Sequence, residues 1–242
     1  IKKHLLARVE KYWNSGMIAS SNTSGLSINE MVADCSPEFR KNFLGTHFFN
    51  PPRYMKLLEI IPGADTDLAI VEFMKDFGDR VLGKGVVLAK DTPNFIGNRI
   101  GVYGLLSTAV AMQEEGLTPE EVDAVTGPAM GRPKSATFRT LDMVGLDIFL
   151  HVAQNVGEKV SEGWEKDAFK IPPFLEEMNK RRWLGEKTGQ GFYKKEKSGK
   201  EKRILTLEME SMEYREQKKA KFASLEAAKN ATSVPGRVRA LL

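Results

Sequence analysis

Short apolar runs alternate with segments of helical periodicity over residues 1–92, and this alternation restricts the fold more than any other feature. The apolar runs are "GMIASSNTS", "FLGTHFF", "YMKLLEIIPG" and "GVVLAKD", and the helical patterns are "IKKHLLARVEKYW", "INEMVADC" and "DTDLAIVEFMKDFGDRVLG". Strands that alternate with helices of this length predict an α/β sheet. Because the runs are short and apolar, we expect the strands to be covered on both faces.

The pattern changes at "KDTPNFIGNR", where Asp91 or Thr92 is predicted to cap a helix with Pro93 in its first turn. Beyond this point the sequence predicts an almost wholly helical chain. An apolar stripe near a 3.6-residue period supports the first of these helices. The stripe consists of Ile96, Ile100, Tyr103 and Val110, interrupted by Ser107. We therefore place a domain boundary near residue 92.

The rest of the chain predicts a helical domain over residues 93–194 and an extension over residues 195–242. "LTPEEVDAV" has a capping box, with Thr118 as the cap and Glu121 at the third position. "TLDMVGLDIFLHVAQNVGEKV" and "PPFLEEMNKRRW" each predict a helix. "GQGFYKKEKSGKEKRILTLEME" predicts a hairpin with Ser198-Gly199 in its turn, and "EYREQKKAKFASLEAAKN" predicts a charged helix.

Composition excludes several classes of protein. The chain has 242 residues and is 41% hydrophobic, which suits one or two folded domains, and no apolar run approaches the ~18 residues of a membrane span. Cys35 is the single cysteine, so no internal disulfide is expected, and we predict a reducing, cytoplasmic location. Three histidines and one cysteine predict no metal site. The net charge of +4 suits an acidic or phosphorylated ligand, and the basic run "KKEKSGKEKR" lacks the aromatic residues that a nucleic-acid surface needs.

The stretch "GTHFFNPP" places His47 at the end of a predicted strand, ahead of two prolines. Histidine is the natural general base at neutral pH. Glu59 lies in the apolar run "KLLEIIPG", where a carboxylate needs a partner. If the Pro51-Pro52 connection brings the two strands side by side, Glu59 can orient His47. The alternatives are a structural histidine and a glutamate that points to solvent from an edge strand.

Ser24 and Asn98 are the candidate binding residues. Ser24 follows a buried strand in "SSNTSG", at the end of a strand where open α/β sheets bind ligands. Asn98 borders a helix face that carries three glycines: Gly97, Gly101 and Gly104. Glycines inside a helix cost roughly 1 kcal/mol each, which indicates close approach to another element or to a ligand. An ordinary Ser/Thr turn and close helix packing are the alternatives.

Nucleotide-binding glycine motifs are missing from the sequence. "GKG" at 83–85 and "GQG" at 189–191 lack the third glycine of a dinucleotide-binding loop, and there is no P-loop. Lys187, within "GEKTGQGFYKK", is a candidate for contact with a negatively charged ligand or a solvated turn lysine. The chain opens without a methionine inside a helical pattern and closes on an apolar segment. We expect it to be an internal piece of a longer polypeptide.

Taken in order, these motifs resemble the L-3-hydroxyacyl-CoA dehydrogenases of fatty-acid β-oxidation. The resemblance runs from residue 1 to about residue 194 and rests on "SNTSGLSI", "GTHFFNPPRYMKLLEII", "KDTPNFIGNR", "LDMVGLD" and "GEKTGQGFY". It implies the C-terminal part of a Rossmann-type dinucleotide-binding domain (α/β), followed by an all-α dehydrogenase C-terminal domain. The extension after residue 194 resembles the bacterial members that carry extra modules.

The resemblance also implies roles for individual residues. The catalytic pair of the family matches His47 and Glu59, and its substrate-binding residues match Ser24 and Asn98. The contacts with the nicotinamide cofactor, NAD, match Lys2, Ser24, Asn50 and Lys187. Further expectations from the resemblance are an acyl-CoA substrate, additional modules of the same polypeptide, such as an enoyl-CoA hydratase, and a homodimer.

Three departures from the family pattern concern the cofactor loop and the helical domain. The glycine-rich phosphate loop and the ribose-binding acid are expected upstream of Ile1. The family usually has Pro-Gly-Phe where this chain has Pro93-Asn94-Phe95. It often has "PMGPFELLD" where this chain has "RPKSATFRTLD". The last two departures bear on substrate details and leave the catalytic pair in place.

The sequence therefore predicts an NAD-dependent dehydrogenase of 3-hydroxyacyl-CoA, in which His47 is the general base and Glu59 orients it. One alternative is a non-catalytic scaffold that keeps the same fold. Another is a dehydrogenase of small β-hydroxyacids, which needs a compact carboxylate pocket rather than the open cleft that acyl-CoA requires.

Overall fold

The structure, a computed structural model, describes residues 1–160, 163–198 and 201–241. These residues form two compact units, Ile1–Gly101 and Val102–Leu242. The described part of the first unit contains four α-helices and four strands before α5 (Gly97–Glu114), and a π-helical turn, Phe77–Val81, extends the fourth helix. In chain order they are α1 (Lys2–Glu10), β1 (Ala19–Ser21), α2 (Ile28–Val32), α3 (Pro37–Lys41), β2 (Phe43–Phe48), β3 (Leu57–Pro62), α4 (Leu68–Asp76) and β4 (Gly85–Leu88).

The four strands form one sheet in the order β1-β2-β3-β4. β1 pairs with β2 and β3 pairs with β4 in parallel, whereas β2 and β3 are antiparallel. The sheet is therefore mixed, because the short connection between β2 and β3 joins neighbouring strands directly. The predicted α/β class is confirmed.

Apolar side chains cover both faces of the two central strands. On one face Phe43 and Ile61 pack into a cluster with α1, α2 and α3, and on the other face Leu44 and Ile60 pack into a cluster with α4. The prediction of two covered faces is wrong for β4, where Val87 and Leu88 are exposed. β4 is an edge strand, so within the described residues it pairs with β3 alone.

The helix predicted from "KDTPNFIGNR" begins later than expected. It is α5 (Gly97–Glu114), which starts at Gly97 because Asn94 and Phe95 have positive φ angles of 57° and 55°. Asp91 therefore does not cap this helix. Its carboxylate accepts hydrogen bonds from the backbone N–H groups of Ile28 and Asn29 at the N-terminus of α2, at 2.8 and 3.0 Å.

The apolar stripe predicted on α5 is not its buried face. Ile100 and Tyr103 are exposed, whereas Val102 and Leu106 are buried. The same helix holds the three glycines noted in the sequence. A Cβ at Gly97 would lie 2.4 Å from Cζ of Phe49, whereas Cβ atoms at the other two, Gly101 and Gly104, would meet nothing within 4 Å. The predicted close approach is therefore confirmed at Gly97.

The second unit is mainly helical and contains a small sheet. Its elements after α5 are α6 (Pro119–Thr126), α7 (Phe138–Val144), α8 (Leu146–Lys159), α9 (Gly163–Ala168), α10 (Pro173–Lys180), β5 (Tyr193–Ser198), β6 (Glu201–Glu208), β7 (Glu213–Glu216), α11 (Ala223–Lys229) and α12 (Val234–Leu241). One continuous cluster of buried residues forms its core, with the rings of Phe138 and Phe192 4.4 Å apart at their centroids. The capping box is present, since Thr118 N–H donates to Glu121 at 2.9 Å.

Two predictions for this unit are wrong. The segment predicted as one helix is divided into α7 and α8, because Gly145 between them has a φ of 97°. The first part of the predicted charged helix is β7, because Tyr214 packs on Trp183 at 5.3 Å and its hydroxyl donates to the Gly191 carbonyl at 2.6 Å.

The predicted hairpin is confirmed as the antiparallel pair β5 and β6, and Gly199 of its predicted turn lies outside the described residues. Within the described ranges, no helix is long and apolar enough to cross a membrane. The same ranges contain no group of three or more histidine, cysteine, aspartate or glutamate residues suited to a metal ion.

Candidate active site

His47 and Glu59 face each other across the antiparallel pair β2 and β3. Nδ1 of His47 lies 2.7 Å from Oε2 of Glu59, and the two residues are only 3% and 0% exposed. The prediction that the Pro51-Pro52 connection brings these strands side by side is confirmed. The alternative in which Glu59 points to solvent from an edge strand is wrong.

The N-terminus of α5 supplies two further donors to the Glu59 carboxylate. Oε1 accepts the backbone N–H groups of Ile96 at 3.1 Å and Gly97 at 2.6 Å. The first N–H groups of a helix have no partner within the helix, and the helix dipole favours negative charge at this end. Burial disfavours a charged carboxylate, and these hydrogen bonds compensate for that cost.

Aromatic rings fix the orientation of the His47 imidazole. The ring of Phe49 lies 4.5 Å from it and the ring of Phe95 lies 5.7 Å from it, centroid to centroid. Because Glu59 occupies Nδ1, Nε2 is the nitrogen left to act on a ligand, and it makes no hydrogen bond to any residue of the described ranges. Gly97 contributes to this packing, since only a residue without a Cβ leaves room for Phe49.

The two predicted binding residues, Ser24 and Asn98, are in direct contact. Nδ2 of Asn98 donates to the backbone carbonyl of Ser24 at 3.0 Å. Ser24 is exposed in the turn that follows β1, as expected for the carboxyl end of a strand. The start of this turn is fixed to β2, because Oδ1 of Asn22 accepts the N–H of Phe48 at 2.9 Å. The two predicted binding residues and the His47–Glu59 pair therefore belong to one hydrogen-bonded region of the first unit.

Three of the predicted cofactor residues, Lys2, Ser24 and Asn50, lie in the first unit. All three are exposed. Lys2 and Asn22 line a mostly apolar cavity of about 640 Å³ beside β1, together with Leu5 and Trp13. Ser24 and Asn50 follow the carboxyl ends of the parallel strands β1 and β2. Open α/β sheets bind dinucleotides at this end of their strands, so the residues present are compatible with NAD.

Lys187, the fourth, lies in the second unit on a short 3₁₀ turn, Glu186–Thr188, and forms an ion pair with Asp147. This ion pair holds the pKa of Asp147 below its usual range. The residues that follow this turn are held to α7 by Asp142, whose carboxylate accepts the N–H groups of Phe192 and Tyr193, both at 2.9 Å. Despite these bonds, burial raises the pKa of Asp142 to about 7.

Sequence reasoning missed the residues that hold the site from a distance. Asp91 contacts the N-terminus of α2 and Asn94 contacts Gly25, each from more than 60 residues along the chain. The N–H groups of Ile96 and Gly97 contact Glu59. The signal available was the polar stretch "KDTPN" after the last strand of the first unit. This stretch was interpreted as a helix cap followed by a proline, which gives no indication of these long-range contacts.

The fold and the site define a nucleotide-binding α/β unit joined to a helical unit, as in dehydrogenases. Two family models match the chain: "3-hydroxyacyl-CoA dehydrogenase, NAD binding domain" over residues 1–92, and "3-hydroxyacyl-CoA dehydrogenase, C-terminal domain" over residues 95–195. The chain belongs to the 3-hydroxyacyl-CoA dehydrogenase family.

Individual relatives agree with this assignment. The chain is 54% identical over 242 residues to a probable 3-hydroxyacyl-CoA dehydrogenase of Bacillus subtilis, covering all of this chain and 30% of that protein. It is 28% identical to a putative fatty acid oxidation complex trifunctional enzyme of Rickettsia felis, covering 98% of this chain and 34% of that protein. The crystal structure of FadB2 of M. tuberculosis matches with a TM-score of 0.71 and 30% identity, over 80% of this chain and 66% of that one. The chain thus spans about a third of the length of the two curated relatives.

Proposed function

We propose that the chain is the catalytic part of an NAD-dependent dehydrogenase that oxidises L-3-hydroxyacyl-CoA to 3-oxoacyl-CoA in fatty-acid β-oxidation. The observation that carries the proposal is the buried His47–Glu59 pair, at 2.7 Å, with two helix N–H groups on the second carboxylate oxygen. A non-catalytic scaffold has no need to bury a carboxylate beside a histidine, because burying an ion costs several kcal/mol before compensation.

In the proposed reaction, Nε2 of His47 accepts the proton of the C3 hydroxyl while the C3–O bond becomes a carbonyl. When bound, NAD would supply the acceptor for the hydride of C3. The imidazole becomes positively charged as it takes the proton, and the Glu59 carboxylate at Nδ1 stabilises that charge. A positioned general base contributes roughly 10²–10⁴-fold to the rate.

The remaining predicted residues take binding roles in this proposal. Ser24 and Asn98, joined by their hydrogen bond, hold the reacting oxygen or the thioester end of the substrate. Lys2, Ser24, Asn50 and Lys187 are the proposed NAD contacts. We also propose the division predicted from the sequence: the C-terminal portion of the NAD-binding domain over residues 1–92, a helical domain over residues 93–194 and an extension over residues 195–242.

The whole protein is proposed to contain further modules of the same polypeptide, including an enoyl-CoA hydratase. The support is that this chain covers only 34% of a relative named as a trifunctional fatty acid oxidation enzyme. A homodimer and a cytoplasmic location are further proposals. The second rests on the bacterial origin of the B. subtilis relative and on Cys35, a buried free thiol that a reducing compartment preserves.

The decisive test is His47→Gln in the full-length protein, with His151→Gln as the matched control because His151 is exposed on α8. NADH formation from L-3-hydroxyacyl-CoA at saturating substrate is the assay. We expect kcat to fall by at least about 10²-fold for His47→Gln and to stay unchanged for the control. A His47→Gln enzyme that keeps more than about a tenth of the wild-type kcat contradicts the general base.

The same assay decides between substrate classes. A wild-type kcat/KM higher for free 3-hydroxyacids than for their CoA thioesters would favour the dehydrogenase of small β-hydroxyacids. Absence of turnover with both would favour a scaffold.

A further inference from the structure

The segment from Asp91 to Asn98, which joins β4 to the first turn of α5, contacts the Ser24 turn and the start of α2 at three places. At one end, Asp91 accepts hydrogen bonds from Ser27 Oγ at 2.8 Å and from two N–H groups of α2. At the other end, Asn98 donates to the Ser24 carbonyl. Between them, Asn94 lies directly against Gly25. Because the same segment supplies the N–H groups that bind Glu59, it connects the turn to the catalytic pair.

The side chain of Asn94 is buried, and its backbone conformation alone does not account for an asparagine at this position. It is 3% exposed, and its φ of 57° lies in the left-handed region, which glycine adopts without strain and asparagine tolerates. The backbone alone therefore does not require a side chain at this position. The carboxamide of Asn94 therefore occupies buried space that a glycine would leave open.

That space is shared with Gly25. A Cβ at Gly25 would lie 2.1 Å from Oδ1 and 2.9 Å from Cγ of Asn94, but 3.3 Å from its Cα. The first two distances are well inside van der Waals contact, whereas the third requires only a small adjustment. Gly25 and the Asn94 side chain are thus complementary: each fits because of the size of the other.

We propose that Asn94 is a positioning residue that sets the place of Ser24 relative to the His47–Glu59 pair through its contact with Gly25. The proposal rests on the proposed dehydrogenase function. Phe95, which follows Asn94, packs against the His47 ring, so a shift of this segment reaches both sides of the site. A displacement of about 1 Å in a substrate-positioning group is enough to lower a rate about 10²-fold.

The test is a double-mutant cycle in the full-length protein, with kcat, KM and the thermal midpoint measured for each variant. Gly25→Ala introduces the collision and should lower kcat by about 10–10²-fold. Asn94→Gly leaves a gap beside Gly25, through which the turn can shift, and should lower kcat roughly tenfold. In Gly25→Ala/Asn94→Gly the new methyl group fills that gap, so kcat should return to within about threefold of wild type. Gly157→Ala, whose Cβ would make only ordinary contact at 3.6 Å, is the matched control.

The cycle separates positioning from simple destabilisation. A positioning role changes kcat more than KM in the single variants and restores kcat in the double variant, whereas a structural role changes the thermal midpoint alone. Wild-type kcat in Asn94→Gly would overturn the proposal, as would a double variant no better than Gly25→Ala. If the wild-type protein has no dehydrogenase activity, the proposed function fails, and the thermal midpoints of the cycle still show whether the two residues are sterically coupled.

Discussion

Replacing Glu59 by glutamine is the sharpest perturbation of the site, because it preserves shape and removes charge. In the wild-type structure the carboxylate is fully buried and accepts three hydrogen bonds, from His47 Nδ1 and from the N–H groups of Ile96 and Gly97. A carboxylate has two acceptor oxygens, whereas a glutamine side chain has one oxygen and one NH₂ group. Glutamine therefore cannot accept hydrogen bonds from all three donors at once.

The two orientations of the glutamine have different consequences. If its NH₂ faces Ile96 and Gly97, donors meet donors in a buried place, and each unsatisfied N–H costs about 1–3 kcal/mol. If its oxygen faces these two N–H groups, its NH₂ meets Nδ1 of His47. Nδ1 must then accept, so the proton of the neutral ring moves to Nε2. We expect the second orientation, because it leaves no backbone donor unpaired.

The expected loss of activity follows from this change of tautomer. An imidazole that carries its proton on Nε2 cannot take the proton of the substrate hydroxyl. A comparable aspartate-to-asparagine change in a Ser-His-Asp triad lowers kcat about 10⁴-fold for the same reason. We expect a fall in kcat of ~10²–10⁴-fold in Glu59→Gln, equivalent to about 3–5.5 kcal/mol of transition-state stabilisation.

The assay is kcat at saturating substrate in the full-length protein, together with ¹⁵N NMR of the histidine rings. Glu72→Gln is the control, since Glu72 is exposed on α4 and pairs only with Lys75 in the described residues. Glu59→Gln should show the Nε2–H tautomer at His47 and retain its fold. A kcat within threefold of wild type, with unchanged KM, would refute the role of Glu59.

Three further predictions concern the second unit. Burial raises the pKa of Asp142 to about 7, so the folded protein favours the protonated carboxyl. This contribution to stability is complete below pH ~4, where the unfolded chain is also protonated, and is lost as the pH rises to 7. The free energy of unfolding, measured with urea, should fall by up to about 1.4 kcal/mol per pH unit in this range, and Asp142→Asn should remove that slope. Thr118→Ala should lower the free energy of unfolding by about 1 kcal/mol through loss of the α6 cap, and an unchanged midpoint would contradict the capping box. Lys187→Gln should raise the KM for NAD if Lys187 contacts the cofactor, whereas Lys195→Gln, which removes another exposed ion-paired lysine, should not.

The features that could be predicted from sequence are those set by local periodicity. Apolar runs gave β1 to β4, and a carboxylate in one such run identified Glu59, because a buried strand does not tolerate an unpaired acid. The pairing with His47 followed from the short connection between their strands. In the second unit, the capping box at Thr118 was predicted because its signal lies within four residues.

The features that could not be predicted depend on rare backbone conformations or distant contacts. The division between α7 and α8 depends on the left-handed Gly145 inside an otherwise helical pattern. β7 was mistaken for a helix because its residues are mostly charged, and only the distant partner Trp183 shows why Tyr214 is part of a strand. The role of Asp91 could not be read locally, because its partners lie more than 60 residues earlier.

The sequence predicted that α5 begins near Pro93, whereas it begins at Gly97, and this difference matters for the proposed chemistry. In a helix that began at Pro93, the N–H groups of Ile96 and Gly97 would bond to carbonyl groups four residues earlier and would be unavailable to Glu59. Because Asn94 and Phe95 are left-handed, the helix begins at Gly97, and both N–H groups remain free for the carboxylate. The left-handed backbone that the sequence pattern did not predict therefore leaves two of the three donors to Glu59 available. These donors stabilise the buried carboxylate on which the proposed general base depends.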